Sequence, residues 1–242
     1  MVKFVKRQDY DQMSRYAAEL IAAQIWMKPD CLLGLATGST PLGIYQKLIE
    51  KHQAGLLDFS KVRSVNLDEY CGLSPEHDQS YHYHMRENFF KHINIDPKAA
   101  HVPDGMAEDM EAEGAAYDAL IEQLGGIDLQ LLGIGNTGHI GFNEPEDSFP
   151  TGTHRVRLAQ KTIDANSRFF ASADDVPRYA ITMGLRSIMN ARKILLVANG
   201  ASKADIVKQA FFGPVTPQVP ACVLQLHPDV TVVVDEEAGA QI

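Results

Sequence analysis

Two hydrophobic patterns alternate along this chain. Short runs rich in apolar residues suit strands buried in a sheet; they are nearly continuous at residues 31–36 (CLLGLA), 129–134, 194–198 (ILLVA) and 230–234 (VTVVV), and a further short strand is expected at 62–67. Between them lie segments whose apolar residues recur at helical spacing. Met13, Ala17, Leu20, Ile21 and Ile25 do so behind Asp9 and Asp11, and Ile44, Tyr45, Leu48 and Ile49 do so behind Pro41, a residue suited to the first position of a helix. Residues 80–93 predict a helix with surface histidines, and residues 106–124 a surface helix, acidic on one side, that Gly125 and Gly126 end. Residues 193–211 repeat a strand, glycine and helix plan, and KFVKR at 3–7 predicts a short edge strand. Strands that alternate with helices imply an α/β protein: three αβα layers, with a mostly parallel sheet covered on both faces. No internal repeat or linker divides the chain, so a single domain over 1–242 is expected.

Charge narrows the partners. Lys plus Arg is 22 and Asp plus Glu is 31, and a net charge of -9 argues against nucleic acid or an anionic membrane as the main partner. The amino-terminal stretch MVKFVKRQDYDQM lacks a long apolar core, and no run approaches a membrane span, so a cytoplasmic protein is expected. Cys31, Cys71 and Cys222 are odd in number and widely spaced, which indicates neither a disulfide framework nor a zinc site. His82 and His84 are two residues apart and so do not share a helix face; no metal site is expected there. Residues 155–180 form a locally basic stretch in an acidic chain, with Arg155, Arg157, Lys161 and Arg168. A connection this long reads either as a lid over a site or as a solvated loop with a short helix.

Three places carry candidate chemistry. In LLGIGNTGHIGFNEP, from Leu131 to Pro145, an apolar run is cut by glycines, and His139 and Glu144 sit among and just after them. Glycines allow sharp turns and close backbone approach, and the ligand crevice of an open parallel sheet lies outside the carboxyl ends of its strands. Thr37, Gly38, Ser39 and Thr40 link a buried strand to a helix, where unpaired N–H groups and small hydroxyls make an anion site. The absence of a following lysine excludes a Walker loop, and a simple capped turn is the alternative. Asp68 and Glu69 end another strand, either as turn formers or as a general base. Lys203 follows Gly200 at a helix start, where a cation is unfavourable unless an anion compensates it.

GLATGSTP, NLDEYCGL, GIGNTGHIGFNEP, ANSRFF and ITMGL, in this order over nearly the whole chain, resemble the glucosamine-6-phosphate deaminase family. The resemblance implies the family's Rossmann-like fold, shared with ribose-5-phosphate isomerase. It also implies conversion of glucosamine 6-phosphate and water to fructose 6-phosphate and ammonia, a small-molecule sugar-phosphate partner, and no redox cofactor or catalytic metal. By motif, Asp68 would be the base that moves a proton from the second to the first carbon of the opened sugar, with Glu69 nearby. His139, oriented by Glu144 and flanked by Thr137 and Gly138, would open the ring. Thr37 to Thr40, Arg168 and Lys203 would hold the phosphate. Two departures from the family pattern stand out. Thr137 occupies a position where the family usually has Asp or Asn, which would weaken or rearrange the ring-opening relay; Glu146 and Asp147 follow FNEP in place of small residues. Asp147, His154 and Val156 replace the Ser, Arg and Lys that bind an N-acetylated sugar phosphate in activated hexamers, so a monomer without such activation is expected. A galactosamine-6-phosphate deaminase, a 6-phosphogluconolactonase and a non-catalytic sugar-phosphate sensor are the alternatives.

Overall fold

The apolar runs become strands of one sheet. The structure, a computed structural model, describes residues 2–167, 170, 172 and 175–242. In chain order its elements are β1 (Val2–Arg7), α1 (Tyr10–Met27), β2 (Leu32–Leu35), α2 (Ser39–Gln53), β3 (Arg63–Asn66), β4 (Asp68–Tyr70), α3 (Tyr81–Asn88), β5 (Ala100–His101) and α4 (Met110–Gln123). There follow β6 (Leu129–Leu132), β7 (His154–Arg157), α5 (Gln160–Asn166), β8 (Tyr179–Thr182), α6 (Leu185–Met189), β9 (Ile194–Ala198), α7 (Ala204–Phe212) and β10 (Val230–Asp235). Seven strands form a sheet in the order β1-β10-β9-β6-β2-β3-β5, every neighbouring pair parallel. Leu32 to Leu35 are buried along all of β2, and Ile194 to Ala198 along all of β9, as strands covered on both faces require. Among the described residues, no helix is long and apolar enough to cross a membrane.

The strand order fixes where a ligand can sit. From β2 the chain moves outward through β3 to β5, then returns to lay β6 on the other side of β2 and continues outward through β9 and β10. The loops after β2 and β6 therefore diverge, and the crevice between them is the switch point at which open parallel sheets bind ligands.

Helix ends follow local chemistry. Asp9 caps α1 by accepting from the Gln12 amide at 2.8 Å, as the acidic start predicts. Three boundaries differ from the sequence pattern. The helix expected over 106–124 starts at Met110 because Asp109 accepts from the amides of Glu111 and Ala112 at 3.0 Å. The helix expected to begin at Pro41 begins at Ser39, and the one expected over 80–93 ends at Asn88 and passes into a 3-10 turn at Phe90–His92.

A second sheet, antiparallel and ordered β4-β8-β7, is the feature the sequence pattern did not predict. It takes its strands from NLDEY and from both ends of the basic stretch. Val156 and Leu158 are buried while Arg155 and Arg157 face outward, an alternation of period two. Arg155 lies over the Tyr179 ring at 3.8 Å. Tyr70, Phe142, Val156, Leu158, Ile163, Val176 and Ala180 make a small core under this sheet, separate from the main one.

Candidate active site

A cavity of about 380 Å³ opens at the switch point. It is lined by the loop after β2, by Asp68 at the start of β4, by Tyr81 at the start of α3, by the loop after β6 with Thr137 and His139, by α5, and by Asn199, Ser202 and Lys203 after β9. Carboxyl ends of four strands thus supply one site, because parallel strands bring all those ends to the same edge.

The loop after β6 holds a hydrogen-bonded group around His139. The Thr137 hydroxyl donates to Glu144 Oε2 at 2.9 Å, and its oxygen lies 2.8 Å from His139 Nδ1, which is itself 3.1 Å from Glu144 Oε2. Thr137 has one proton and gives it to Glu144, so this network assigns the imidazole proton to Nδ1 and frees Nε2. Glu144 Oε1 accepts from the Thr162 hydroxyl. Burial on its own would raise the Glu144 carboxyl, but the bonds from His139, Thr162 and Thr137 together hold it below the usual range, so Glu144 is a carboxylate at neutral pH. Gly135 is required by packing: a Cβ there would stand 2.0 Å from His139 Nε2, so the ring lies directly on the Gly135 backbone.

Gly138 does not line the cavity. Its carbonyl accepts from the Ala221 amide at 2.8 Å, which ties the loop to the turn at Pro220–Leu226.

Asp68 and Glu69 point in opposite directions, as neighbours on a strand must. The buried Asp68 carboxyl lines the cavity, and burial pushes it up to about 8, with the negative charge of Glu69 adding to the effect. Glu69, expected at the site, is turned away from it. Its carboxylate accepts from the amides of Tyr70 and Tyr81 at 2.8 Å and of His82 at 2.9 Å, closing the first turn of α3. Burial raises the Glu69 carboxyl, and these three amides offset part of the rise.

Thr37, Gly38, Ser39 and Thr40 line the cavity at the start of α2, a helix of 15 residues whose first turn carries no acid. Gly38, at the cap of α2, has a φ of 107°, a conformation that side chains rarely adopt and glycine takes without strain. Thr40 donates to Asn199 Oδ1 at 2.7 Å, linking this loop to the one after β9. Lys203 ends a 3-10 turn at Ala201–Lys203 and stands at the cap of α7, one place before the helix in which the sequence pattern set it. Its ammonium donates to Ile134 O at 2.8 Å and to Asn136 Oδ1 at 2.7 Å, so oxygens of the His139 loop provide part of the compensation that a cation at a helix start needs. Arg168 lies outside the described residues.

The family model for glucosamine-6-phosphate isomerases/6-phosphogluconolactonase matches residues 6–233. The chain belongs to this family. It is 59% identical to a glucosamine-6-phosphate deaminase of Lachnoclostridium phytofermentans, across 96% of this chain and 98% of that one. It is 57% identical to another of Thermoanaerobacter pseudethanolicus, across 100% and 95%. A solved monomeric glucosamine-6-phosphate deaminase superposes with a TM-score of 0.97 at 47% identity, covering 99% of this chain and 100% of that one. A 6-phosphogluconolactonase from Trypanosoma cruzi, at 19% identity and a TM-score of 0.78 over 100% of this chain and 97% of its own, shares the fold.

Tyr81, Thr162, Asn199 and Ser202 line the cavity without having been singled out in the sequence, and Lys161, from the basic stretch, and Asn166, from ANSRFF, line it as well. Tyr81 stood in the SYHYH stretch read as a surface helix start; its ring packs at 4.8 Å from Tyr70 and 5.9 Å from Phe142. Nothing in its spacing separates a cavity-lining tyrosine from a surface one. Thr162 and Asn166 are four apart on α5 and so share a face, a signal readable only once that stretch is known to be a helix.

Proposed function

We propose that this chain catalyses the hydrolytic deamination and aldose-ketose isomerisation of glucosamine 6-phosphate, giving fructose 6-phosphate and ammonia. The observation that supports it most is a raised carboxyl, Asp68, and an imidazole, His139, lining one cavity, with the buried Glu144 carboxylate paired to His139 Nδ1. These are the groups that two proton transfers at neighbouring carbons need.

His139, its Nδ1 proton held by Thr137 and Glu144, uses Nε2 to move the proton that opens the pyranose ring. Asp68 takes the proton from the second carbon of the open aldehyde and returns it to the first. The carbon-nitrogen bond at the second carbon becomes an iminium; water adds to it, ammonia leaves and the ketone remains. A carboxyl near 8 matches its proton affinity to neutral operation better than a solvated aspartate does. The Thr37 to Thr40 loop, Arg168 and Lys203 take the phosphate, so binding energy far from the reacting carbons positions them. Thr137 replaces a charged or amide residue by a neutral bridge, and the relay runs through its hydroxyl. A lid within residues 155–180 includes α5 and covers the site of a single domain, and the protein works as a cytoplasmic monomer.

The test is release of ammonia and fructose 6-phosphate from glucosamine 6-phosphate by the native protein and by Asp68→Asn. Native turnover, with a loss of about a hundredfold or more in the variant, is expected. Absence of turnover with both glucosamine and galactosamine 6-phosphate, despite tight binding, would move the protein to the sensing class; preference for the galactosamine epimer would change the substrate and keep the chemistry.

A further inference from the structure

Glu144 is held from two sides. Its Oε2 takes Thr137 and His139 from its own loop, whereas its Oε1 takes Thr162, which comes from α5 eighteen residues later. Thr162 belongs to none of the motifs that carry the family resemblance, and it is buried although it sits in a locally basic stretch. The neighbouring Ile163 explains the burial. It is packed into the small core with Tyr70, Phe142, Val156 and Leu158, and this fixes α5 against the FNEP loop. A threonine in the first turn of a helix commonly turns its hydroxyl to local backbone. Here it leaves the helix to meet a carboxylate.

We propose that Thr162 is a positioning residue for proton transfer at His139. Its hydroxyl keeps Glu144 ionised and aimed at the imidazole, and it makes that alignment depend on where α5 sits. Lys161 and Asn166 of the same helix line the cavity, so a sugar phosphate that touches them also sets the His139–Glu144 pair. The inference rests on the ring-opening role given to His139 above and adds a residue to it. A hydroxyl donor favours the charged form of the carboxyl it meets, so its removal lets the Glu144 carboxyl rise.

The test compares Thr162→Val, which keeps the shape and removes the hydroxyl, with Thr162→Ser, which keeps the hydroxyl. Thr162→Ala serves if the valine variant does not fold. For Thr162→Val, kcat with glucosamine 6-phosphate is expected to fall about tenfold, as for one lost charge-assisted hydrogen bond, while KM stays within about twofold. The side-chain carboxyl of Glu144, followed by carbon-13 NMR and assigned with Glu144→Gln, is expected to titrate at higher pH than in the native protein. Thr162→Ser is expected to restore both. An unchanged kcat and an unchanged Glu144 titration in Thr162→Val would overturn the proposal, as would a serine variant as impaired as the valine one. If the native protein turns over no amino-sugar phosphate, the functional reading fails, and the NMR titration still decides whether Thr162 controls Glu144.

Discussion

Asp68 concentrates the cost of the site in one side chain. Its folded carboxyl, near 8, lies well above the value of about 3.9 it takes when unfolded, so the native state binds its proton more tightly. Stability from this group is therefore fully present below about pH 4 and is lost as pH rises toward 8. Asp68→Asn removes the charge from that position. Chemical denaturation is expected to find the variant more stable than the native protein by about 4 kcal/mol at pH 7, with the difference vanishing near pH 4. A native protein as stable as the variant at pH 7 would contradict this account of the burial. The same ionisation governs the free enzyme: kcat/KM is expected to climb with pH as Asp68 loses its proton, reaching half its maximum near 8 and levelling above it. Glu69, one residue on, has the same chemistry and the opposite task, since the alternation of β4 sends it to the amides of α3.

At the level of elements, the two edges of the main sheet are held by different means. At the carboxyl edge, the glycine-rich loop after β6 is pinned by Lys203 and by Asn143, whose amide donates to Ile140 O at 2.8 Å and Met183 O at 2.9 Å. At the amino edge, the buried Asp128 accepts from Lys28 Nζ at 2.9 Å, Leu32 N at 2.8 Å and Arg192 Nη1 at 3.1 Å, tying α1, β2 and the entry to β9 together. Asp128→Ala orphans the Leu32 amide while water can still reach Lys28 and Arg192, so the expected loss is about 2 kcal/mol. Tm should fall by about 6 °C, and KM should not move, since the site lies at the other edge. A changed KM would show that the two edges are coupled. The second sheet belongs to this scale as well. The alternation in RVRL was present in the chain, but four residues of period two beside a cluster of cations read as a solvated connection until the partner strands β4 and β8 are in place.

For the whole molecule, the switch point between β2 and β6 decides which distant loops meet. Asp68, His139 and Lys203 are far apart in sequence and share a cavity because each follows a parallel strand of one sheet or leaves it. Control from a second site is not expected. Asp147, His154 and Val156 lack the cations that an N-acetylated sugar phosphate needs, and His154 Nδ1 is occupied by Gly152 O at 2.9 Å. N-acetylglucosamine 6-phosphate should leave the apparent KM unchanged, and sedimentation should give a monomer. A severalfold lower KM, or a hexamer, would contradict both expectations.

The fold class was legible because it depends on local pattern, whereas the residues assigned to the site came from the motifs of the family resemblance. Runs such as ILLVA suit buried strands, and glycines set around a single histidine and a single glutamate mark a loop where backbone can pass close to a ligand. What tertiary structure alone decided is direction and partnership. Asp68 and Glu69 are equivalent in the chain until a second sheet chooses which one faces the cavity. Thr162 is one threonine among several until Ile163 is packed against Phe142 and its hydroxyl meets Glu144. The physical reason is common to both: periodicity encodes burial, a one-body property, whereas a hydrogen bond across many residues exists only after the chain has closed around it.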